Sequence, residues 1–194
     1  MLSAIILAGG LSSRMGTNKL LLPYEDHTII EHIVENVCNA GLEEIIVVTG
    51  HESAKVRTVL KNFPVRFVHN ANYATGITTS IQQGVKSATG DGYMICLGDM
   101  ITITSKEYGW LKRRFDSIVK NDKASICLPV FNHTKGNPVV FSSLYKNKIL
   151  QNTDMNGCSD IVQSNKNSIS FIDMPSDHIL QNVEYYADYR QLAC

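Results

Sequence analysis

The 194 residues carry 18 basic and 18 acidic side chains, for zero formal net charge, and 44% of them are apolar. That length can bury a full core in one domain, expected here to span residues 1–194, and the balanced charge argues against a general nucleic-acid-binding surface, which needs a basic excess. No stretch approaches the roughly 20 apolar residues of a membrane span, and the short N-terminal apolar run lacks the basic flank of a secretory signal, so no membrane partner is expected.

The first predicted element is a strand over Ala4–Ala8, a short apolar run that suits burial on both faces. Gly9 and Gly10 follow, where missing Cβ atoms let backbone N–H groups approach an anion closely. Ser12, Ser13 and Thr17 add short donors, and Arg14 and Lys19 add two cations. Close amides, hydroxyls and two positive charges are what a polyphosphate requires, so the loop is a candidate nucleoside triphosphate site. It is not a P-loop, which needs Lys directly after its second Gly; here Thr17 follows Gly16. Nor is it the G-x-G-x-x-G dinucleotide fingerprint.

Further along, Thr28 and Glu31 form a capping box opening a helix through Ile29, Ile30, Ile33, Val34, Val37 and Cys38, with Gly41 as its stop. A strand over Glu44–Thr49, a helix through Lys55, Val56, Val59 and Leu60, and a strand over Val65–Val68 come next. Strands alternating with helices predict βαβ units and a mostly parallel sheet, with ligands bound beyond the carboxyl ends of the strands. Between His69 and Gly84 a polar turn leads into a helix, for which Thr78, Thr79 and Ser80 are candidate caps. The apolar run from Gly92 to Leu97 ends in Gly98-Asp99, which puts a carboxylate at the sheet's carboxyl edge, a favourable place for a Mg²⁺ ligand.

Thr104 and Glu107 form a second capping box, opening a helix through Trp110, Leu111, Phe115, Ile118 and Val119. Ala124–Val130 is a further strand, ending at Pro129. Ser168–Ile172 is extended, Asp173-Met174-Pro175 turns, and Tyr185–Leu192 is a final amphipathic helix. The six histidines lack metal-site spacing and are assigned structural or surface roles. Cys38, Cys96, Cys127, Cys158 and Cys194 form no C-x-x-C pair and fit a reducing cytoplasmic setting.

The stretch from Leu7 to Pro23 resembles the signature L-A-[AG]-G-x-S-x-R-M-G-x-x-K-x-L-L-P of MobA-like nucleotidyltransferases. Ser12-Ser13-Arg14-Met15-Gly16 and Leu20-Leu21-Leu22-Pro23 look most like the branch containing molybdenum cofactor cytidylyltransferase. The resemblance implies a three-layer α/β fold of Rossmann-like, GT-A-like type. It implies Mg²⁺-dependent transfer from a nucleoside triphosphate, CTP favoured, to the phosphate of a molybdopterin-type acceptor. The product would then serve a hydroxylase of the xanthine dehydrogenase type. Arg14, Lys19 and Asp99 take the catalytic positions. The nucleotide-binding set is Leu7, Ala8, Gly9, Gly10, Ser12, Ser13, Arg14, Gly16, Lys19, Asn70, Gly76, Ser80 and Asp99.

Asn70, Gly76 and Ser80 match the family's N-P-x-[YF]-x-x-G-[MIL]-x-[ST]-S segment, with Ala71 in place of Pro. Asp99-Met100 matches its Asp-Met-Pro element, with Ile101 in place of Pro. Lys135 and Asn137, in Lys135-Gly136-Asn137-Pro138, are the acceptor-side candidates. Glu184 is the second metal ligand in the better alignment, and Asp173 the competing one. Gly157-Cys158-Ser159-Asp160 keeps only the first Gly of the family's G-D-x-G loop, which leaves the acceptor open. A guanylyltransferase, a sugar- or alcohol-phosphate nucleotidyltransferase and a non-catalytic nucleotide or cofactor carrier are the rival readings.

Overall fold

The computed structural model describes residues 1–192; Ala193 and Cys194 lie outside the described residues. The first strand, β1 (Leu2–Ala8), is buried along its whole length. Its alternation assigns two faces. Leu2, Ala4, Ile6 and Ala8 enter one apolar cluster, while Ile5 and Leu7 enter a second on the opposite side of the sheet. Pro23–Tyr24 (β2) and His27–Thr28 (β3) make a small antiparallel ribbon that no sequence signal announced.

Helix α1 (Ile29–Asn39) starts from the expected capping box: the Thr28 hydroxyl accepts the Glu31 N–H at 3.4 Å, and the Glu31 carboxylate accepts the Thr28 N–H at 2.8 Å. Strand β4 (Glu44–Thr49), helix α2 (Ser53–Val59), strand β5 (Arg66–His69), helix α3 (Ile77–Ser87), strand β6 (Gly92–Leu97) and helix α4 (Ser105–Ile118) follow. The second capping box is also formed, with the Glu107 carboxylate accepting the Thr104 N–H at 2.8 Å. Leu111 and Phe115 are buried on the inner face of α4, whereas Trp110 is 41% exposed and lies under the guanidinium groups of Arg113 and Arg114.

The remaining elements are β7 (Ile126–Phe131), β8 (Thr134–Lys135), β9 (Val139–Ser142), α5 (Lys146–Leu150), α6 (Ser159–Ser164), β10 (Ile169–Asp173) and α7 (Tyr186–Leu192). The sheet runs β10-β7-β9-β6-β1-β4-β5, with β8 hairpinned onto β7. β1 pairs in parallel with β4 and β6, β4 with β5, and β7 with β10. β9 is inserted antiparallel to both β6 and β7. Helices cover both faces, giving the three-layer, mostly parallel architecture.

Two local expectations are corrected. β7 does not end at Pro129 but continues to Phe131: β9 pairs with Ile126 and Cys127, and β8 with Val130 and Phe131. Pro129 falls between those ladders, where no amide is demanded of it. The hydroxyls of Thr78, Thr79 and Ser80 do not cap α3. The helix begins earlier, with Gly76 at the cap position and no side-chain cap bond, so these residues lie inside its first turn and turn their hydroxyls elsewhere.

Candidate active site

β1 lies between β4 and β6, the point where strand order diverges and where open α/β sheets leave a crevice at their carboxyl ends. The loop after β1 wraps that crevice. Ser12 takes a positive φ of 50°, and its carbonyl accepts the Met15 N–H at 2.9 Å while its hydroxyl accepts the Lys19 N–H at 3.1 Å. Asn18 caps the single turn Lys19–Leu21 by accepting the Leu20 N–H. These bonds fold the loop back so that Lys19 re-enters the crevice.

A cavity of about 400 Å³ results. Leu7, Gly9, Gly10, Ser12, Lys19, Gly76, Ser80, Asp99 and Glu184 all line it. Arg14 and Ser13 line an adjoining recess together with Lys19, Asp99 and Glu184. A Cβ at Gly10 would meet no protein atom within 4 Å. The space beside its Cα is open to the cavity. Gly98 is required for the opposite reason: a Cβ there would stand 2.5 Å from the Leu7 carbonyl, so only Gly lets the ends of β1 and β6 close together and aim Asp99 inward.

Three candidates stand behind the cavity rather than on its wall. Ala8 is packed in β1, and Gly16 lies on the outer side of the loop at φ 69°. Asn70 is 1% exposed, and its amide donates to the Ser80 and Thr79 hydroxyls at 2.9 Å each. It orients Ser80.

Charges in the cavity are paired. Lys19 Nζ lies 2.6 Å from Asp99 Oδ2 and donates to the Val183 carbonyl at 2.7 Å. Arg14 lies 2.8 Å from Glu184, with its guanidinium also over the Tyr185 ring. The Asn182 amide donates to the other Glu184 oxygen at 3.0 Å, and the Val183 N–H donates to the Asp99 carbonyl at 3.0 Å. The segment before α7 thus brings Glu184 to the loop that carries Asp99. Asp173, the competing candidate, ends β10 opposite Val130 and lines neither cavity.

Asp99 Oδ1 is buried and has no hydrogen-bond partner. A buried carboxylate oxygen left free on the wall of a cavity fits a cation ligand. Among the described residues no group of three or more His, Cys, Asp or Glu could hold a metal, so the fit is to an ion taking one or two carboxylates and completing its shell with phosphate oxygens and water.

A second cavity, of about 370 Å³, adjoins the first, and Ile77 and Leu97 line both. Lys135 and Asn137 stand on its wall with Asn156, Gly157, Cys158 and Ser159. Most of the rest is aliphatic or aromatic, including Ile81, Ile95, Leu128, Val139, Phe141 and Val162. The Lys135 ammonium lies 5.7 Å from the centre of the exposed Phe171 ring. Burial, and after it the nearby Asp154, push the Cys158 thiol up to about 12, which favours the neutral thiol over the thiolate. Cys38, Cys96 and Cys127 are also free thiols.

Residues 4–169 match the MobA-like NTP transferase domain. The chain belongs to that family. It is therefore a nucleotidyltransferase. The chain is 33% identical to the molybdenum cofactor cytidylyltransferase of Escherichia coli K12 over 142 residues, covering 73% of this chain and 70% of that protein. It is 31% identical to the bifunctional protein GlmU of Symbiobacterium thermophilum over 98 residues, or 50% of this chain and only 21% of GlmU.

Among solved structures, a nucleotidyl transferase from Methanothermobacter superposes with a TM-score of 0.85 at 25% identity, covering 100% of this chain and 96% of the other. A cytidylyltransferase from Leptospira borgpetersenii shares the fold, with a TM-score of 0.78 at 18% identity over 99% and 84% of the two chains. No helix among the described residues is long and apolar enough to cross a membrane.

Sequence reasoning did not single out Leu11, Tyr73, Leu97 and Asn182 on the first cavity, although Asn182 sits two residues from Glu184. Of the second cavity's apolar wall, the resemblance placed residues 135–141 near the acceptor, whereas Ile95 and Leu128 read only as strand residues.

Proposed function

We propose that this protein transfers a nucleoside monophosphate, CMP from CTP in the favoured case, to the phosphate of a molybdopterin-type acceptor and releases pyrophosphate. The observation that carries the reading is the pair of cavities with a common wall: one at the β1 loop that holds Lys19, Asp99 and Glu184, and a mostly aliphatic one with Lys135 and Asn137 on its wall. The similarity to the E. coli cytidylyltransferase supports the donor and acceptor. The aliphatic wall supports an acceptor with a flat ring body to pack against it, with Asn137, Asn156, Ser159 and Gln163 as polar partners for its edge.

In this reading an acceptor phosphate oxygen attacks the α-phosphorus, and the bond from that phosphorus to the bridging oxygen breaks as pyrophosphate leaves. A phosphate monoester with a second pKa near ~6 is mostly ionised at pH 7, so the attack needs no general base. Catalysis then rests on positioning and charge neutralisation. Gly9, Gly10, Ser12 and Ser13 hold the triphosphate, and Arg14 and Lys19 stabilise the departing pyrophosphate. Both cations exchange their present carboxylate partners for phosphate oxygens. Asp99 and Glu184 would hold Mg²⁺, which when bound neutralises phosphate charge and polarises the α-phosphoryl group.

The four free thiols among the described residues suit a reducing cytoplasm, and the product would be consumed by a hydroxylase of the xanthine dehydrogenase type. Pyrophosphate release with purified molybdopterin, Mg²⁺ and each of CTP, GTP, ATP and UTP tests the reading. Release confined to CTP is expected. No release with any of the four overturns it.

A further inference from the structure

The first turn of α3 serves both cavities, and the residue that ties it to the second one is Thr78. Its side chain is buried, 4% exposed. The hydroxyl donates to the Asp154 carbonyl and accepts the Gly157 N–H at 2.9 Å, a link across 79 residues of sequence. One turn further along the same face, the Gln82 amide donates to the Ile149, Leu150 and Asn152 carbonyls at 2.9–3.2 Å. The loop is braced from within as well: the Asn152 amide donates to the Gly157 carbonyl at 2.7 Å, and the Asn152 side-chain oxygen accepts the Asp154 N–H at 3.0 Å.

Gly157 and its neighbours Asn156, Cys158 and Ser159 form part of the apolar cavity's wall. On the other side of the same helical turn, Gly76 and Ser80 line the cavity at the β1 loop, and Ile77 lines both. Thr78 therefore stands where the geometry of one cavity is referred to the other. A helix needs no hydroxyl at this position, since Gly76 holds the cap.

We infer that Thr78 is a positioning residue that fixes the acceptor-side loop, residues 154–159, against the nucleotide-side turn of α3. It sets where the acceptor phosphate lies relative to the α-phosphorus. This rests on the proposed transfer reaction. Valine has the shape of threonine without the hydroxyl, so it leaves the Gly157 N–H unpaired, whereas serine keeps both bonds.

The test is steady-state kinetics of T78V and T78S with CTP and molybdopterin, alongside hydrogen exchange of the Gly157 region. T78V is expected to raise the molybdopterin KM about tenfold while leaving the CTP KM within about twofold, and T78S to restore the wild-type value. Equal rises in both KM values, an unchanged molybdopterin KM or failure of T78S to rescue would overturn the inference. Should the wild-type protein turn over no acceptor, the transfer reading fails by itself and exchange decides the linkage. Faster exchange in T78V confined to residues 154–159 supports it; unchanged or chain-wide exchange refutes it.

Discussion

The two cavities at the carboxyl edge of the sheet are built by different means. The first cavity draws its glycines, hydroxyls and cations from one loop, residues 9–19, folded on itself, and takes Ser80, Asp99 and Glu184 from elsewhere in the chain. The apolar cavity is assembled from pieces remote in sequence: α3, the end of β6, the β8–β9 connection and the 154–159 loop, held to one another by Thr78 and Gln82. The groups aimed at phosphate in the first cavity come mainly from that loop, while the second cavity depends on the brackets between its pieces. Substitutions in the first should therefore strike chemistry, and substitutions in the second should strike acceptor binding or stability.

The largest effect is expected at Lys19. K19A removes a cation aimed at the leaving pyrophosphate and should lower kcat/KM by about 10²–10³-fold. It also strands the largely buried Asp99 carboxylate, at a cost of about 1–2 kcal/mol, read as a fall of about 2–8 °C in melting temperature. Near-wild-type turnover would break the comparison at its strongest point.

Glu107 comes next, because it holds the chain segment that reaches both cavities. This carboxylate is 4% exposed and accepts from the Ser176 hydroxyl at 2.5 Å, the Thr104 N–H and hydroxyl at 2.8 and 2.7 Å, and Nδ1 of His178 at 3.0 Å. It anchors the segment that passes Ile179 to the Asn137 N–H and Val183 to Asp99. Burial pushes its carboxyl up, but the hydrogen bonds from Ser176, His178 and Thr104 outweigh burial and leave it below the ordinary value.

A depressed carboxylate adds stability above its unfolded pKa of ~4.3 and loses it as pH falls through the folded value. The wild type should lose stability through that acid window. E107Q should be less stable by about 1–3 kcal/mol at pH 7 and show a flatter acid limb, measured by urea unfolding from pH 3 to 7. An unchanged acid limb would remove Glu107 from this role.

K135A sharpens the contrast directly. It should raise the acceptor KM by about fivefold to tenfold and leave the CTP KM unchanged, since Lys135 faces only the apolar cavity. The smallest effect belongs to T28A, which deletes the α1 cap away from both cavities. A loss of about 1 kcal/mol with both KM values unchanged is expected.

The polar cavity was largely legible in the sequence because its chemistry is local. Glycines, hydroxyls, Arg14 and Lys19 all lie within residues 9–19, and a strand ending in Gly98-Asp99 announces its carboxylate. Capping boxes at Thr28 and Thr104 fixed two helix starts for the same reason: their partners are three residues away.

What depended on long-range contact was not legible. β9 runs antiparallel between β6 and β7, and no periodicity within Val139–Ser142 encodes its direction. The hydroxyls of Thr78 and Thr79 read as helix caps because their actual partners, including Asp154 and Gly157 for Thr78, are invisible to local pattern. Pro129 read as a strand end because its place in the gap between two ladders is a property of the sheet. Asn70 matched a motif, yet its buried amide serves Ser80 from behind the wall.

Paired salt bridges between Arg14 and Glu184, and between Lys19 and Asp99, link the loop of the first cavity to two carboxylates from elsewhere in the chain. In the proposed reaction Arg14 and Lys19 would leave these carboxylates for triphosphate oxygens, Asp99 and Glu184 would be freed to hold Mg²⁺, and the acceptor phosphate would reach the α-phosphorus from the neighbouring cavity. The most direct measurement is pyrophosphate release by the full chain with CTP, Mg²⁺ and molybdopterin, run beside the same mixture lacking acceptor. Rapid release that requires all three components is the predicted result. Release that proceeds equally without acceptor, or none at all despite saturable CTP binding, would contradict the account.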